Sequence, residues 1–234
     1  MIDLTAKPIS PGWIEAETHL SRVDPVLAEI IRKVGPCTLV PRKDHFAALC
    51  QSIINQQIST AAARTVWERF RKLFPMGRPK PTMLVLISDE QLRAAGLSRQ
   101  KASYLRSLAE HFGGGHVPVR KLSKMTDEEV VQALIPVKGI GRWTAEMFLI
   151  FVLNRTDLLP VDDLGLCNQA WRAFGLKAYP EARTMNRLAE KWRPYRSIAT
   201  WYLWRSQQFL AAVPKERVSS RNPAKKKKAR PASA

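Results

Sequence analysis

VKGIGRWTAEMF, residues 137–148, is the stretch whose reading decides the fold of this chain. Pro136 ends the segment before it, Gly139 and Gly141 permit a tight turn with no Cβ in the way, and Ala145, Phe148, Leu149 and Val152 then fall on one helical face. Helix, short turn and helix can be read directly. A turn of this kind presents backbone N–H groups to an anion at the start of its second helix. Lys138 and Arg142 stand beside it, and Ile140 and Thr144 complete the hairpin. A lone Gly-Ile-Gly is weak on its own, because many such turns bind nothing. Between two helices and flanked by basic residues, phosphate capture becomes the better account, and it positions a polyanion without reading its sequence.

Outward from the hairpin, apolar residues recur at three-and-four spacing, and neither period-two runs nor Asn-Gly or Asp-Gly turns appear, so the chain is expected to be all-α. Pro25 and the stripe Val26, Leu27, Ile30, Ile31 and Val34 predict a helix over 24–34. Asp44 is a candidate cap for the next, Ser59 for one ending before Pro75, and Ser98 for one running to about residue 112. Short elements are expected over 82–87 and 89–95. Thr126 with Glu129 forms a capping box for the helix that Pro136 ends. The last helices are predicted over 163–174, 180–191 and 197–213, with a basic, disordered tail over 215–234.

Charge narrows the partner. The formal net charge is +18, and the segment from Lys215 contributes eight Lys and Arg against one Glu, so +11 remains on the body. A basic body favours a polyanion, nucleic acid ahead of an acidic membrane surface. Cys37, Cys50 and Cys167 are widely spaced with no CxxC, and the four histidines have no metal-ligand spacing, which predicts a reduced, intracellular protein without a metal site. The longest apolar run, MFLIFVL over 147–153, is far shorter than the roughly 20 residues of a membrane span.

Three sets of residues bear on chemistry. Asp162 and Asp163, between Pro160 and an apolar helix start, read first as helix caps; the same geometry readies a carboxylate to stabilise positive charge or orient water. Seven Trp residues exceed what a helical core of this size needs. Trp143 begins the helix after the hairpin, where an electron-rich ring can stack on an extruded base, and Trp201 and Trp204 share a helix face with one suited to the core and the other to a pocket. Gln56 and Gln57 in SIINQQIST are either a solvated loop pair or a source of a side chain that fills the gap left by an extruded nucleotide.

Together the segments SIINQQIS, GLSRQKASYLRSLA, KGIGRWTAEMFLIF, LLPVDDLGL and RPYRSIATWYLW, in that order, resemble the helix-hairpin-helix superfamily of DNA base-excision glycosylases, and most closely its DNA-3-methyladenine glycosylase II branch. The resemblance implies two helical subdomains with an active cleft between them: 41–160, six helices ending in the helix-hairpin-helix, and 1–40 with 161–214. It implies a flipped nucleotide and hydrolysis of the N-glycosidic bond of alkylated bases of the 3-methyladenine and 7-methylguanine type. Asp163 matches the catalytic carboxylate, with Asp162 the lesser candidate; Trp143 and Trp204 match the pocket walls and Gln57 the DNA wedge. Met147 stands where some relatives have Tyr, which leaves the substrate range open. Strand-cutting members carry Lys directly after Gly-x-Gly-Arg; Trp143 stands there and cannot be an amine nucleophile, so a monofunctional enzyme is expected.

No iron-sulfur loop is expected, since its four closely spaced cysteines are missing, and no amino-terminal β-sandwich, since about forty residues precede the first matching helix. No cofactor is required on this reading; a monovalent cation at the hairpin is compatible with it. The expected partner is damaged double-stranded DNA, the expected state a monomer, and the expected place the cell interior, cytoplasm or nucleoid in a bacterium. The rival readings are a glycosylase for hypoxanthine, uracil or an oxidised base, and a non-catalytic hairpin module that binds DNA.

Overall fold

Side-chain caps divide the chain where Ser, Thr and Asp stand in its sequence. Asp24 accepts from the N–H groups of Val26 and Leu27 and opens α2 (Pro25–Val34), and Asp44 accepts from Ala47 N and opens α3 (His45–Asn55). Ser59 caps α4 (Thr60–Lys72) and Ser98 caps α7 (Arg99–Gly113). Thr126 and Glu129 form the reciprocal box that starts α8 (Asp127–Leu134). Each such cap contributes about 1 kcal/mol by satisfying an N–H that the helix leaves without a partner. These observations come from a computed structural model that describes residues 11–210. Among the described residues every regular element is a helix; the basic run over 215–234 lies outside them.

Three expectations need correction. Residues Pro11–Val23 form a helix, α1, that the sequence reading did not anticipate, although Trp13, Ala16 and Leu20 repeat at helical spacing and are buried. The last helix, α12, covers Arg196–Arg205 and tightens into a 3-10 turn over Ser206–Gln208, well short of residue 213. Ser206 Oγ donates to Leu203 O at 2.6 Å, a local bond that competes with the helical ladder. The segment expected over 180–191 is α11 (Ala182–Ala189) followed by a 3-10 turn over Glu190–Trp192. The remaining elements are α5 (Pro81–Leu84), α6 (Asp89–Ala94), α9 (Arg142–Phe151) and α10 (Leu164–Ala173).

Two apolar clusters organise these helices. One draws its buried residues from 46–152, with Phe46, Leu49, Ile53 and Ile54 of α3 meeting Leu105 and Leu108 of α7 and Phe148 and Leu149 of α9. The other joins α1 and α2 to α10 and α12 across more than a hundred residues of sequence, with Leu20, Leu27, Leu166, Trp192 and Trp201 inside it. Full burial of one such aliphatic or aromatic side chain contributes roughly 1.5 to 3 kcal/mol before chain entropy is counted. α12 is buried without interruption from Ser197 to Leu203, so it is the central rod of the second cluster. The chain passes between the clusters near residue 42 and again over 153–163. α3 and α9 of the first cluster therefore face α10 and α12 of the second across a cavity.

Candidate active site

Asp163 sits where the second crossing ends. Its backbone N–H donates to Pro160 O at 3.0 Å, a turn that places the carboxyl at the start of α10, where Oδ1 accepts from Leu166 N at 2.5 Å. The cap expected from the sequence is thus formed, and it uses only part of the carboxylate. Trp204 Nε1 donates to Oδ1 at 2.8 Å from α12, and Trp143 Nε1 donates to Oδ2 at 2.7 Å from α9. Two indoles, one from α9 and one from α12, hold a carboxylate that is only 8% exposed. Asp162, one residue earlier, is exposed and does not line the cavity.

The cavity has a volume of about 550 Å³, and Trp143, Met147, Asp163, Trp201 and Trp204 are in its wall. Trp143 is 45% exposed and stands at the mouth, whereas Trp201 is 2% exposed and belongs to the core as well as to the wall. Trp204 stacks on Phe151, with centroids 5.3 Å apart and planes 21° apart. Gly165, which no motif of the sequence marks, permits this packing. A Cβ on Gly165 would lie 3.1 Å from Asp163 Oδ1 and 3.4 Å from Trp204 Nε1, so glycine leaves room for the indole over the first turn of α10. A glycine inside a helix, where its propensity is about 1 kcal/mol worse than alanine, was the available signal.

The hairpin lies beside the mouth. Val137 and Ile140 are buried and anchor it in the first cluster. Gly139 has φ +83°, and a Cβ there would be 2.1 Å from the ring of Tyr104, so the turn excludes any other residue twice over. Gly141 differs: its φ is −93° and space is open around it. Its lack of a side chain leaves α9 without a side-chain cap and its first N–H groups accessible to an external anion. Thr144 is buried, so its side chain does not face that anion site, while Lys138 and Arg142 are exposed. Arg142 pairs with Glu128 at 2.7 and 3.0 Å, an exposed ion pair that solvent screens and that leaves Arg142 free to turn toward an anion.

Gln56 and Gln57 take different places. Gln56 Nε2 donates to Gly139 O at 2.9 Å and the residue lines the cavity. Gln57 is exposed at φ +58°, a left-handed conformation that is strained for a residue with a Cβ, and it does not line the cavity. Lys101, which the sequence reading did not single out, donates from Nζ to Ile54 O at 2.6 Å and ties the end of α3 to the start of α7. Glu146, one turn beyond Trp143 on α9, has its carboxyl pushed above the usual range by burial, with Arg142 opposing and Asp162 adding to the shift.

Residues 50–194 match the model of the HhH-GPD superfamily base excision DNA repair proteins. The chain is 35% identical over 194 residues to the alkylbase DNA glycosidase-like protein mag2 of Schizosaccharomyces pombe, covering 81% of this chain and 91% of the relative. It is 33% identical to the DNA-3-methyladenine glycosylase 1 of the same organism, covering 83% of this chain and 87% of that one. Among solved structures, that of the S. pombe 3-methyladenine DNA glycosylase in complex with abasic DNA superposes with a TM-score of 0.75 at 33% identity, over 83% of this chain and 97% of that one.

Proposed function

The chain belongs to the HhH-GPD superfamily of base excision DNA repair proteins, and from that membership we propose how its cavity works. The protein is a DNA glycosylase that excises alkylated bases in base excision repair. The observation that carries the proposed mechanism is the carboxylate of Asp163, buried between the indole N–H groups of Trp143 and Trp204 in the wall of a cavity with ample room for a base.

In this reading the first turn of α9 and Lys138 grip a backbone phosphate, and Gln57, exposed in a left-handed conformation next to Gln56, enters the duplex as the damaged nucleotide leaves the stack. The base enters the cavity between two subdomains, 41–160 and, among the described residues, 11–40 with 161–210, and stacks against Trp143 and Trp204; residues 1–10 and 211–214 of the expected second subdomain lie outside the described residues. A cationic alkylated purine gains roughly 0.5 to 2 kcal/mol from an electron-rich ring. When the C1′–N bond breaks, its electron pair passes to the base, which departs neutral, and positive charge develops on the sugar. Asp163 faces that charge, orients the water that attacks C1′ and accepts the proton that water loses as the C1′–O bond forms. The positive charge already on the base makes it a good leaving group, so a strong general acid is not needed.

Trp143 offers no amine for a Schiff base, so the product is an intact strand with an abasic site. Incubation with methylated duplex DNA followed by hot alkali tests the reading. Strand breaks are expected only after alkali, and Asp163→Asn is expected to keep DNA binding while losing most base release. Near-normal release by that variant would remove Asp163 from the mechanism, and no release by the unaltered protein would sink the glycosylase reading.

A further inference from the structure

The cavity has a second pole that the mechanism above leaves unused. Its wall follows α9 from Trp143 at the mouth to Val152, nine residues or about 13 Å farther on. At that far end the backbone N–H of Arg42 donates to Val152 O at 3.0 Å, and Arg42 Nη1 donates to Gln51 Oε1 at 3.0 Å. Gln51 stands five residues, about 7.5 Å, back along α3 from Gln56, and both line the cavity. Arg205 adds a second guanidinium to the wall, 5.6 Å from the ring of Trp201, and its Nε has no hydrogen-bond partner. Among the described residues Asp163 is the one carboxylate in the wall, and it belongs to the other pole.

A guanidinium carries five N–H donors and no acceptor, and the bond to Gln51 occupies one of them. Arg42 is partly buried, and burial lowers its pKa with only Asp44 opposing, so its charge is desolvated beside a neutral amide. Such a group favours an incoming acceptor. The C6 substituent of a purine lies on the six-membered ring, away from the sugar, so a base whose glycosidic nitrogen is set at Asp163 can turn that substituent toward the Arg42 pole of the cavity. In 7-methylguanine and hypoxanthine that substituent is a carbonyl oxygen; in 3-methyladenine it is an amino group that opposes N–H to N–H.

We infer that Arg42, oriented by Gln51, is a specificity residue that donates to the 6-oxo oxygen of the extruded purine and so favours 6-oxopurines over 3-methyladenine. This inference rests on the glycosylase reading above. DNA treated with a methylating agent carries 7-methylguanine and 3-methyladenine in one substrate, and chromatography of the released bases yields their ratio directly. Sites built to hydrogen-bond a polar group discriminate strongly when that bond is lost, so Arg42→Met is expected to lower the ratio of 7-methylguanine to 3-methyladenine release about tenfold. Gln51→Met, which leaves the charge in place but frees the fork, is expected to lower it by about threefold or more. It decides the matter alone if Arg42→Met does not fold. A smaller change, or a rise, overturns the inference. Release of neither base by the unaltered protein would sink the glycosylase reading and this inference with it, whereas an unchanged ratio sinks the inference alone.

Discussion

Gln56 Nε2 donates to Gly139 O at 2.9 Å, joining the end of α3 to the hairpin that opens α9. The loop that carries Gln57 and the turn proposed to grip phosphate are thereby one mechanical unit, although 83 residues separate them in sequence. Gln56→Ala removes that link and leaves both elements folded. A hydrogen bond of this type is worth about 0.5 to 1.5 kcal/mol, so affinity for DNA containing an abasic site is expected to fall about three- to tenfold. Fluorescence anisotropy with a labelled duplex measures it, and unchanged affinity would show that the two elements act separately.

The hairpin glycines are expected to fail in different ways. Gly139→Ala drives a Cβ into Tyr104 at a positive φ and should cost about 2 to 4 kcal/mol of stability, seen as a lower Tm. Gly141→Ala meets neither obstacle and should cost under about 1 kcal/mol. It places a methyl group where the proposed phosphate contact would form, so it should weaken DNA binding with a nearly unaltered melting curve. Equal melting losses in the two variants would contradict the assignment.

Trp204→Phe keeps a ring against Phe151 and deletes the N–H that Asp163 accepts. Hydrogen bonds to a charged group contribute about 1.5 to 3 kcal/mol, so single-turnover base release is expected to slow roughly 10- to 100-fold. Gly165→Ala should act in the same direction by pressing on Asp163 and Trp204. Binding to an abasic duplex, measured in parallel, separates this from a general loss of DNA affinity.

Glu146 makes stability depend on pH in a stated direction. Burial raises its folded pKa above the unfolded value, so ionisation is penalised in the native state. The native protein binds this proton more tightly, and stability falls as pH rises from the unfolded pKa through the folded one, remaining lower above it. Glu146→Gln removes the penalty. Its Tm should exceed that of the unaltered protein at neutral pH, and the difference should vanish below about pH 4, where both states are protonated. A Tm gain that persists undiminished in acid would assign the effect to packing instead.

Local chemistry made much of the fold legible. The caps at Asp24, Asp44, Ser59, Ser98 and Thr126 each depend on a side chain reaching an N–H two or three residues on, so the sequence alone placed those helix starts. α1 escaped notice although its spacing was readable, and the end of α12 depends on a serine whose competition with the helix is not marked by periodicity.

The site divides along the same line. Residue types and their order determined by themselves that a basic, helical chain carries a glycine hairpin flanked by Lys138 and Arg142, an aspartate at a helix start and a surplus of tryptophan. Which aspartate faces the cavity, that Gln56 and not Gln57 bonds the hairpin, that Gly165 makes room for Trp204, and that Arg42 meets Gln51 were decided only by tertiary structure. The reason is the range of the forces involved. Helix starts and turns are satisfied within a few residues of sequence, whereas a carboxylate held by Trp143 of α9 and Trp204 of α12 exists only once two separately packed cores bring those helices face to face.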